Sequence, residues 1–214
     1  MQPIDINAVF FMVGISIVLI VSGYQFYFWP QRKPLRTCNV GKVSSIDSRI
    51  PFQPQWVWIY SALYYPFMIS PVIWISSAAE FMWICASYVL LLFIHVAISM
   101  MYPIKTPTNW RDYNPNTYSK RFLKFIQSID KGGNCFPSMH VAVATLTALH
   151  MTFGLIETFN WIVILSWSSV VAISLSSVLT KQHFTRDIVA AFPLSCALYY
   201  FYSKYVDIEM FSIF

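Results

Sequence analysis

The stretch NCFPSMHVAVATLTALHM, residues 134–151, begins as a polar turn and continues as an apolar segment. Proline is favoured at the first position of a helix, where its missing N–H costs nothing, so we expect a helix that starts at Pro137-Ser138. The free N–H groups and the positive dipole end of that helix suit an anion. His140 lies one turn further along, beside that position. A histidine near a helix start is more often structural, so His140 needs partners before it indicates chemistry.

The composition indicates a membrane protein. Of the 214 residues, 57% are hydrophobic and 11% are charged, whereas a soluble domain has about 25% charged residues. A bilayer core of about 30 Å needs roughly 20 apolar residues of helix. Six such windows predict an all-α, polytopic membrane protein with one six-helix domain over residues 1–214 and helices at about 6–29, 56–75, 81–102, 137–156, 161–180 and 184–202.

Six crossings place the connections alternately on two membrane faces. One face receives residues 30–55, 103–136 and 181–183 with the turn after them. It holds thirteen of the fourteen Lys and Arg residues, Lys204 being the exception. The net charge of +5 is therefore concentrated on one side. This asymmetry indicates an anionic headgroup or phosphate at that face rather than nucleic acid. The alternative is topology alone, because positive residues also mark cytoplasmic loops.

A second polar group lies in SSVLTKQHFTRDIVAA, residues 176–191. His183 and Asp187 are four residues apart, so on a helix they share a face and the carboxylate can hydrogen-bond one imidazole nitrogen. The other nitrogen is then free as an oriented nucleophile or base. Such a pair is common by itself. At the head of a membrane helix, on the same face as His140, it predicts an active site at one membrane face.

Three cations are candidates for holding a phosphoryl group. Lys105 and Arg111 lie in the connection between the third and fourth predicted helices, and Lys181 lies two residues before His183. Ammonium and guanidinium donors stabilise the charge on the oxygens of a transferring phosphoryl group. A single loop cation is more often simply solvated, so Lys181, held close to His183, is the stronger candidate.

These residues resemble motifs of the type-2 phosphatidic acid phosphatase superfamily, which also includes sphingolipid phosphotransferases. The second family motif, Pro-Ser-Gly-His, matches residues 137–140 with Met139 in place of glycine. The third motif, Ser-Arg, five residues, His, three residues and Asp, matches residues 176–187, with Ser177 in place of arginine.

The resemblance extends more loosely to two further segments. The first family motif, a lysine, six residues and Arg-Pro, is loosely met by Lys105 and Arg111, which are one residue too close and lack the proline. The stretch IDSRIPFQPQWVWIY, residues 46–60, is similar to the branch that includes the sphingolipid synthases.

The resemblance implies a metal-independent, cofactor-free lipid phosphatase, integral in a cell or inner membrane. It would act on the phosphate or diphosphate ester of a lipid, among membrane lipids, through a phosphohistidine. His183 is then the nucleophile, Asp187 orients it and His140 is the general acid. We expect these three residues in a pocket between the fourth and sixth predicted helices. The implied phosphate-binding groups are Lys105, Arg111, Ser138, the Met139 amide and, because Ser177 cannot replace the family arginine, Lys181.

Two alternatives stay open. The first is a headgroup phosphotransferase like the sphingolipid synthases, which resolves the same phosphohistidine with an alcohol instead of water. The second is a catalytically silent membrane protein that binds an anionic lipid. Intact His140, His183 and Asp187 argue against the silent protein, because polar groups at membrane depth are costly. The loosely met first motif keeps it open.

The orientation in the membrane gives the first prediction. Basic residues in the connection at 30–55 favour a cytoplasmic site face, whereas most members of the similar family work on the opposite side. We predict an extracytoplasmic face. After reduction, a membrane-impermeant thiol reagent should then label Cys38 in intact cells, with Cys38→Ser as the control that identifies the label. Labelling of Cys38 only after permeabilisation would place the site face in the cytoplasm.

Overall fold

A computed structural model describes residues 6–75, 77–155 and 160–205. The described chain is mostly helical, and two strands of two residues each, β1 (Asn39–Val40) and β2 (Ile104–Lys105), pair in parallel. The α-helices are α1 (Ile6–Tyr27), α2 (Trp29–Arg32), α3 (Ser45–Arg49), α4 (Tyr64–Ile69), α5 (Ala78–Met101), α6 (Tyr118–Ile129), α7 (Met139–Leu155), α8 (Asn160–Leu179) and α9 (Thr185–Tyr205).

Four helical segments within the described ranges are long and apolar enough to cross a membrane, and they correspond to the first, second, third and fifth predicted helices. α7 and α9 lie where the fourth and sixth helices are predicted, although the predicted end of the fourth at 156 is outside the described residues. α7 has 17 residues, fewer than the roughly 20 that a crossing needs, and six crossings therefore remain a prediction. The four segments are Ile6–Arg32, Pro54–Ile73, Ala78–Met101 and Asn160–Leu179.

The second predicted helix is one continuous helix over 56–75, and the structure divides it. Pro54, Pro66 and Pro71 have no N–H to donate to the preceding turn, so regular α-helix is interrupted around them. The wide π-helical turn brings Tyr60 and Tyr64 to the side that faces α7, where both are buried. The successive pieces are a 3₁₀ turn at Pro54–Trp56, a π-helical turn at Trp58–Leu63, α4, and a 3₁₀ turn at Ser70–Ile73.

α7 is the central helix of the described structure. It packs against α4, α5, α8 and α9, and every residue from 141 to 150 is buried. A helix that is hydrophobic all round is one surrounded by other elements. Ala142, Ala144 and Ala148 present small side chains, which allow neighbouring helices to approach closely. His140, at the start of this helix, therefore lies where several elements meet.

α6 is a short helix on which Phe122, Phe125 and Ile129 fall at helical spacing. Trp58 stacks on Phe122 with ring centroids 4.9 Å apart, and Leu123 is fully buried. Phe125 and Ile129 remain exposed. α6 thus attaches by one side to the irregular second segment and presents apolar side chains outward, as a helix on a membrane surface does.

Candidate active site

His183 lies in the turn between α8 and α9 and is almost fully buried. Its Nδ1 lies 2.8 Å from the carbonyl oxygen of Cys135. A carbonyl oxygen only accepts, so Nδ1 carries a proton in this hydrogen bond. Nε2 of the neutral ring then keeps its lone pair. The geometry therefore presents Nε2 of His183 as a nucleophile or base.

Asp187 is fully buried in the first turn of α9. Its Oδ2 accepts a hydrogen bond from the Phe184 N–H at 2.9 Å, as the third residue of a helix often does for the capping residue. The same oxygen lies 3.5 Å from His183 Nδ1. His183 Nδ1 thus donates to the Cys135 carbonyl at 2.8 Å, whereas the Asp187 carboxylate, which the sequence predicts as its acceptor, is farther from that nitrogen. The sequence could not show the Cys135 carbonyl as the acceptor, because a backbone carbonyl has no residue-type signature.

His140 lies in the first turn of α7, flanked by two aromatic rings. The ring centroids of Tyr60 and Tyr64 are 4.1 Å and 4.4 Å from that of His140. The imidazoles of His140 and His183 have centroids 6.3 Å apart. His140 Nδ1 is buried and has no hydrogen-bond partner among the described residues. The structure therefore brings the two histidines together and leaves Nδ1 of His140 without a hydrogen-bond partner in the described ranges.

Ser138 directly precedes α7 and is fully buried. Its N–H donates to the Asp187 carbonyl at 3.0 Å, which fixes the head of α7 against the head of α9. Its Oγ has no hydrogen-bond partner in the described chain. The first N–H groups of a helix, here beginning with Met139, have no partner within the helix. Donors without acceptors thus meet at this point, which suits an anion.

Arg111 and Lys105 differ in their contacts within the described chain: the Arg111 guanidinium bonds to backbone carbonyls, and the Lys105 ammonium does not. Arg111 Nη1 donates to the Asp130 carbonyl at 2.7 Å, so one side of the guanidinium caps the end of α6. Gly132 has φ 70°, and a Cβ there would collide with Arg111, so this close approach requires glycine. Thr106 Oγ1, also beside Gly132, is buried without a partner among the described residues. The side chain of Lys105 makes no hydrogen bond or ion pair within the described ranges, and its carbonyl accepts from the Gly41 N–H at 2.9 Å.

Lys181 fastens the first connection to the turn that carries His183. Its Nζ donates to the carbonyl oxygens of Asp47 at 2.8 Å and Ile50 at 2.7 Å. A third bond, from the Gln53 N–H to the Leu179 carbonyl at 2.8 Å, joins the same two segments. Two of the three N–H donors of the ammonium are therefore engaged with the backbone. The phosphate-binding role of Lys181 stays a prediction.

Asp47 completes this attachment and is 3% exposed. Its Oδ1 accepts from the Thr185 N–H at 2.8 Å and from the Thr185 hydroxyl at 2.7 Å. Its Oδ2 accepts from the Ser44 N–H at 3.0 Å. Burial alone would raise the pKa of Asp47, but the hydrogen bonds from Ser44 and Thr185 outweigh it and hold the pKa at about 2. We call residues 44–53 the strap, because they hold the turn at 179–185 in place.

An apolar cavity of about 130 Å³ opens beside His140. It lies between α1, α4, α5 and α7, and not between the fourth and sixth predicted helices. The reason is packing. α7 and α9 are in close contact, with the Ser195 hydroxyl donating to the Ala142 carbonyl at 2.7 Å, whereas α1 packs mainly on α5. The open space is therefore on the α1 side of His140.

Comparison with known proteins gives one match. A family model described as the PAP2 superfamily matches residues 44–201. The matched range begins at the strap and includes His140, His183 and Asp187. No curated protein and no solved structure matches the chain significantly.

The attachment by Asp47 gives a stability prediction with a pH dependence. Its pKa of about 2 is below the usual value near 3.9, so the ionised carboxylate stabilises the fold above about pH 4 and this stabilisation is lost as pH falls toward 2. Asp47→Asn should lower the free energy of unfolding at pH 7 by on the order of 2 kcal/mol, because hydrogen bonds to a buried charge are lost. Thermal unfolding in detergent measures this.

Asp112→Asn is the matched control, because Asp112 is exposed and surface substitutions change stability by about 0.5 kcal/mol or less. The difference between Asp47→Asn and the wild type should shrink between pH 4 and pH 2. Equal effects of the two substitutions, or a difference that does not change with pH, would contradict the role of the Asp47 charge.

Proposed function

The chain belongs to the PAP2 superfamily, and from that premise we propose that it is a metal-independent membrane phosphatase that cleaves a phosphate or diphosphate ester of a lipid through a phosphohistidine. Members of this superfamily are typically phosphatases. The observation that carries the proposal is the pairing of His183, with a free Nε2, and His140, whose ring centroid is 6.3 Å away.

In the first step, Nε2 of His183 attacks phosphorus, and an N–P bond forms as the bond to the lipid oxygen breaks. The ring becomes positively charged. The Cys135 carbonyl, which accepts the Nδ1 proton at 2.8 Å, and the Asp187 carboxylate, 3.5 Å from the same nitrogen, stabilise that charge. His140 enters the step as an imidazolium and gives one proton to the departing lipid oxygen, which leaves its ring neutral.

In the second step, His140 acts as a base. By microscopic reversibility it takes a proton from water, whose oxygen attacks phosphorus and displaces Nε2 of His183. Inorganic phosphate leaves and both histidines return to their starting state. The rings of Tyr60 and Tyr64 against His140 hold the imidazole in one orientation throughout.

The phosphoryl oxygens need donors during both steps. We assign the Ser138 hydroxyl, which is buried without a partner among the described residues, and the free amides at the start of α7, including that of Met139. Lys105 and the unengaged side of the Arg111 guanidinium supply positive charge. The third N–H of the Lys181 ammonium is available for the same purpose.

The proposed arrangement in the membrane has six crossings. In this arrangement α7 and α9 are the fifth and sixth crossings beside the four longer segments. The bond from the Ser138 N–H to the Asp187 carbonyl, which joins their heads, supports a site at the face that carries most Lys and Arg residues. We propose that this face is extracytoplasmic. A lipid phosphate reaches such a site by lateral diffusion, with its headgroup at the membrane surface.

A phosphotransferase is the second candidate, supported by the similarity of residues 46–60 to sphingolipid synthases and by the contact of this segment with the site. A transferase must hold an alcohol and exclude water. The polar residues of the loop at 109–118 are the available groups. Two of them already stabilise the loop, since Tyr113 donates to Gln127 Oε1 at 3.1 Å and Asn116 Oδ1 accepts from Lys120 at 3.0 Å. This favours hydrolysis.

The covalent step can be tested by trapping. Brief incubation with a lipid phosphate labelled in the phosphate should give an acid-labile phosphoenzyme, and His183→Ala should remove it and lower turnover by at least about 10³-fold. His150→Asn is the matched control, because His150 is a buried histidine bonded to Ser87 at 2.9 Å on the same central helix as His140. A phosphoenzyme in folded His183→Ala would refute the assignment.

The molecule that accepts the phosphoryl group, water or an alcohol, distinguishes hydrolysis from transfer. Purified protein with a labelled lipid phosphate should release labelled inorganic phosphate at a rate independent of added alcohol, because water resolves the phosphohistidine. The measurement compares a series of alcohols, including lipid alcohols, and separates the products by chromatography. A new labelled lipid that forms only with an acceptor would instead establish the transferase.

A further inference from the structure

The cavity beside His140 has the depth of one membrane leaflet. Along α1 its lining runs from Tyr27 to Ser16, and along α5 from Leu92 to Phe81. At 1.5 Å per residue, each run is about 16 Å long. The hydrocarbon core of a bilayer is about 30 Å thick, so the cavity extends through about half of it. Its upper end is at the proposed site. Its lower end, at Ile75 and Phe81, lies beside the start of α5.

The wall of the cavity offers an occupant almost no free hydrogen-bonding group. Ring faces and aliphatic side chains form most of it, and five of the six hydroxyl groups that the described residues place on it, all but that of Tyr64, are engaged with protein partners. An occupant without polar groups is therefore favoured. The engaged hydroxyls are those of Tyr24 and Tyr65, bonded to each other, of Tyr27, bonded to Asp130, of Tyr88, bonded to Thr147, and of Ser16, bonded to the Met12 carbonyl.

The upper end of the cavity is formed by His140 itself, together with Met139 and Tyr64. A chain that fills the cavity therefore emerges next to the His140 imidazole, whose centroid is 6.3 Å from that of His183. A group attached to the upper end of the chain reaches the gap between the two histidines. The volume of about 130 Å³ is similar to that of a cavity that takes one benzene ring, about 150 Å³. It therefore holds a segment of about six carbons of one chain, and not two chains side by side.

We propose that this cavity binds one hydrocarbon chain of the lipid substrate, with the phosphate of that lipid between His140 and His183. The inference rests on the proposed phosphatase function and adds to it a binding site for one hydrocarbon chain of the substrate. A second chain, where the lipid has one, stays in the surrounding bilayer. The cavity thus makes the enzyme selective for phosphate esters that carry a hydrocarbon chain able to enter it.

Gly23 offers a way to fill the cavity without disturbing the histidines. It lines the cavity one turn below Tyr27. A Cβ added there would meet the Leu92 side chain at 3.5 Å, an ordinary contact. A larger side chain at this position therefore extends into the cavity and does not collide with the backbone. Gly14 lies on the same helix, is exposed, and an added Cβ would meet nothing within 4 Å. Gly14→Leu is therefore the matched control for Gly23→Leu.

The experiment compares kcat/KM for a long-chain lipid phosphate in mixed micelles with kcat/KM for a water-soluble short-chain phosphate monoester. Gly23→Leu should lower the ratio of long to short by tenfold or more, chiefly by raising KM for the long chain. Gly14→Leu should leave the ratio at the wild-type value. Val89→Phe, which fills the cavity from α5, should reproduce the effect of Gly23→Leu. It replaces Gly23→Leu in the experiment if Gly23→Leu does not fold.

Each other outcome overturns the proposal. An unchanged ratio in folded Gly23→Leu or Val89→Phe would show that the substrate chain lies elsewhere and that the cavity holds a structural lipid. An equal loss with both substrates would show a general disturbance of the site. Failure of the phosphatase function itself is distinguishable, because wild-type protein would then release phosphate from neither substrate.

Discussion

The hydrogen bond from His183 Nδ1 to the Cys135 carbonyl joins three distant segments of the chain. Cys135 donates its own N–H to the Ile104 carbonyl at 3.1 Å, which attaches β2 and the loop with Lys105. Three residues later, the Ser138 N–H binds the Asp187 carbonyl. One short segment thus positions β2, the head of α7 and the turn before α9. It also fixes which nitrogen of His183 is protonated, and the proposed chemistry depends on that.

In the described part of the chain, the buried polar atoms that lack a hydrogen-bond partner also support the proposed position of the phosphate. A buried polar group without a partner costs about 1–3 kcal/mol. Among the described residues, four such atoms belong to the segments around the proposed phosphate position. They are the possible donors Ser138 Oγ, His140 Nδ1 and Thr106 Oγ1, and the acceptor Asp187 Oδ1. The strap, in contrast, has its buried carboxylate at Asp47 fully engaged. A phosphoryl group at the helix heads would satisfy donors that the protein leaves unpaired, while the strap serves to hold the turn.

The apolar windows predicted the long helices well, because bilayer thickness imposes their length. α5 spans Ala78–Met101 where 81–102 was predicted, and α8 spans Asn160–Leu179 where 161–180 was predicted. The second window is also found as a span, Pro54–Ile73, but its prolines divide it into 3₁₀, π-helical and α-helical pieces. The spacing of His183 and Asp187 predicts that they lie close together on one helix. Asp187 is in the first turn of α9, and His183 is in the turn two residues before that helix. The spacing could not show the Cys135 carbonyl, the contacts of Lys181 with the strap, or the cavity on the α1 side, because these depend on how distant segments pack.

The most direct test of the central claim is the identity of the phosphorylated nitrogen. Because Nδ1 of His183 donates to the Cys135 carbonyl, only Nε2 has a lone pair for phosphorus. Nuclear magnetic resonance of the trapped phosphoenzyme, with ³¹P and ¹⁵N-labelled histidine, distinguishes the two isomers through the coupling of phosphorus to the ring nitrogens. We expect Nε2-phosphohistidine at His183. Phosphate on Nδ1 would contradict the account, because that nitrogen would then have to give up the hydrogen bond that organises the site.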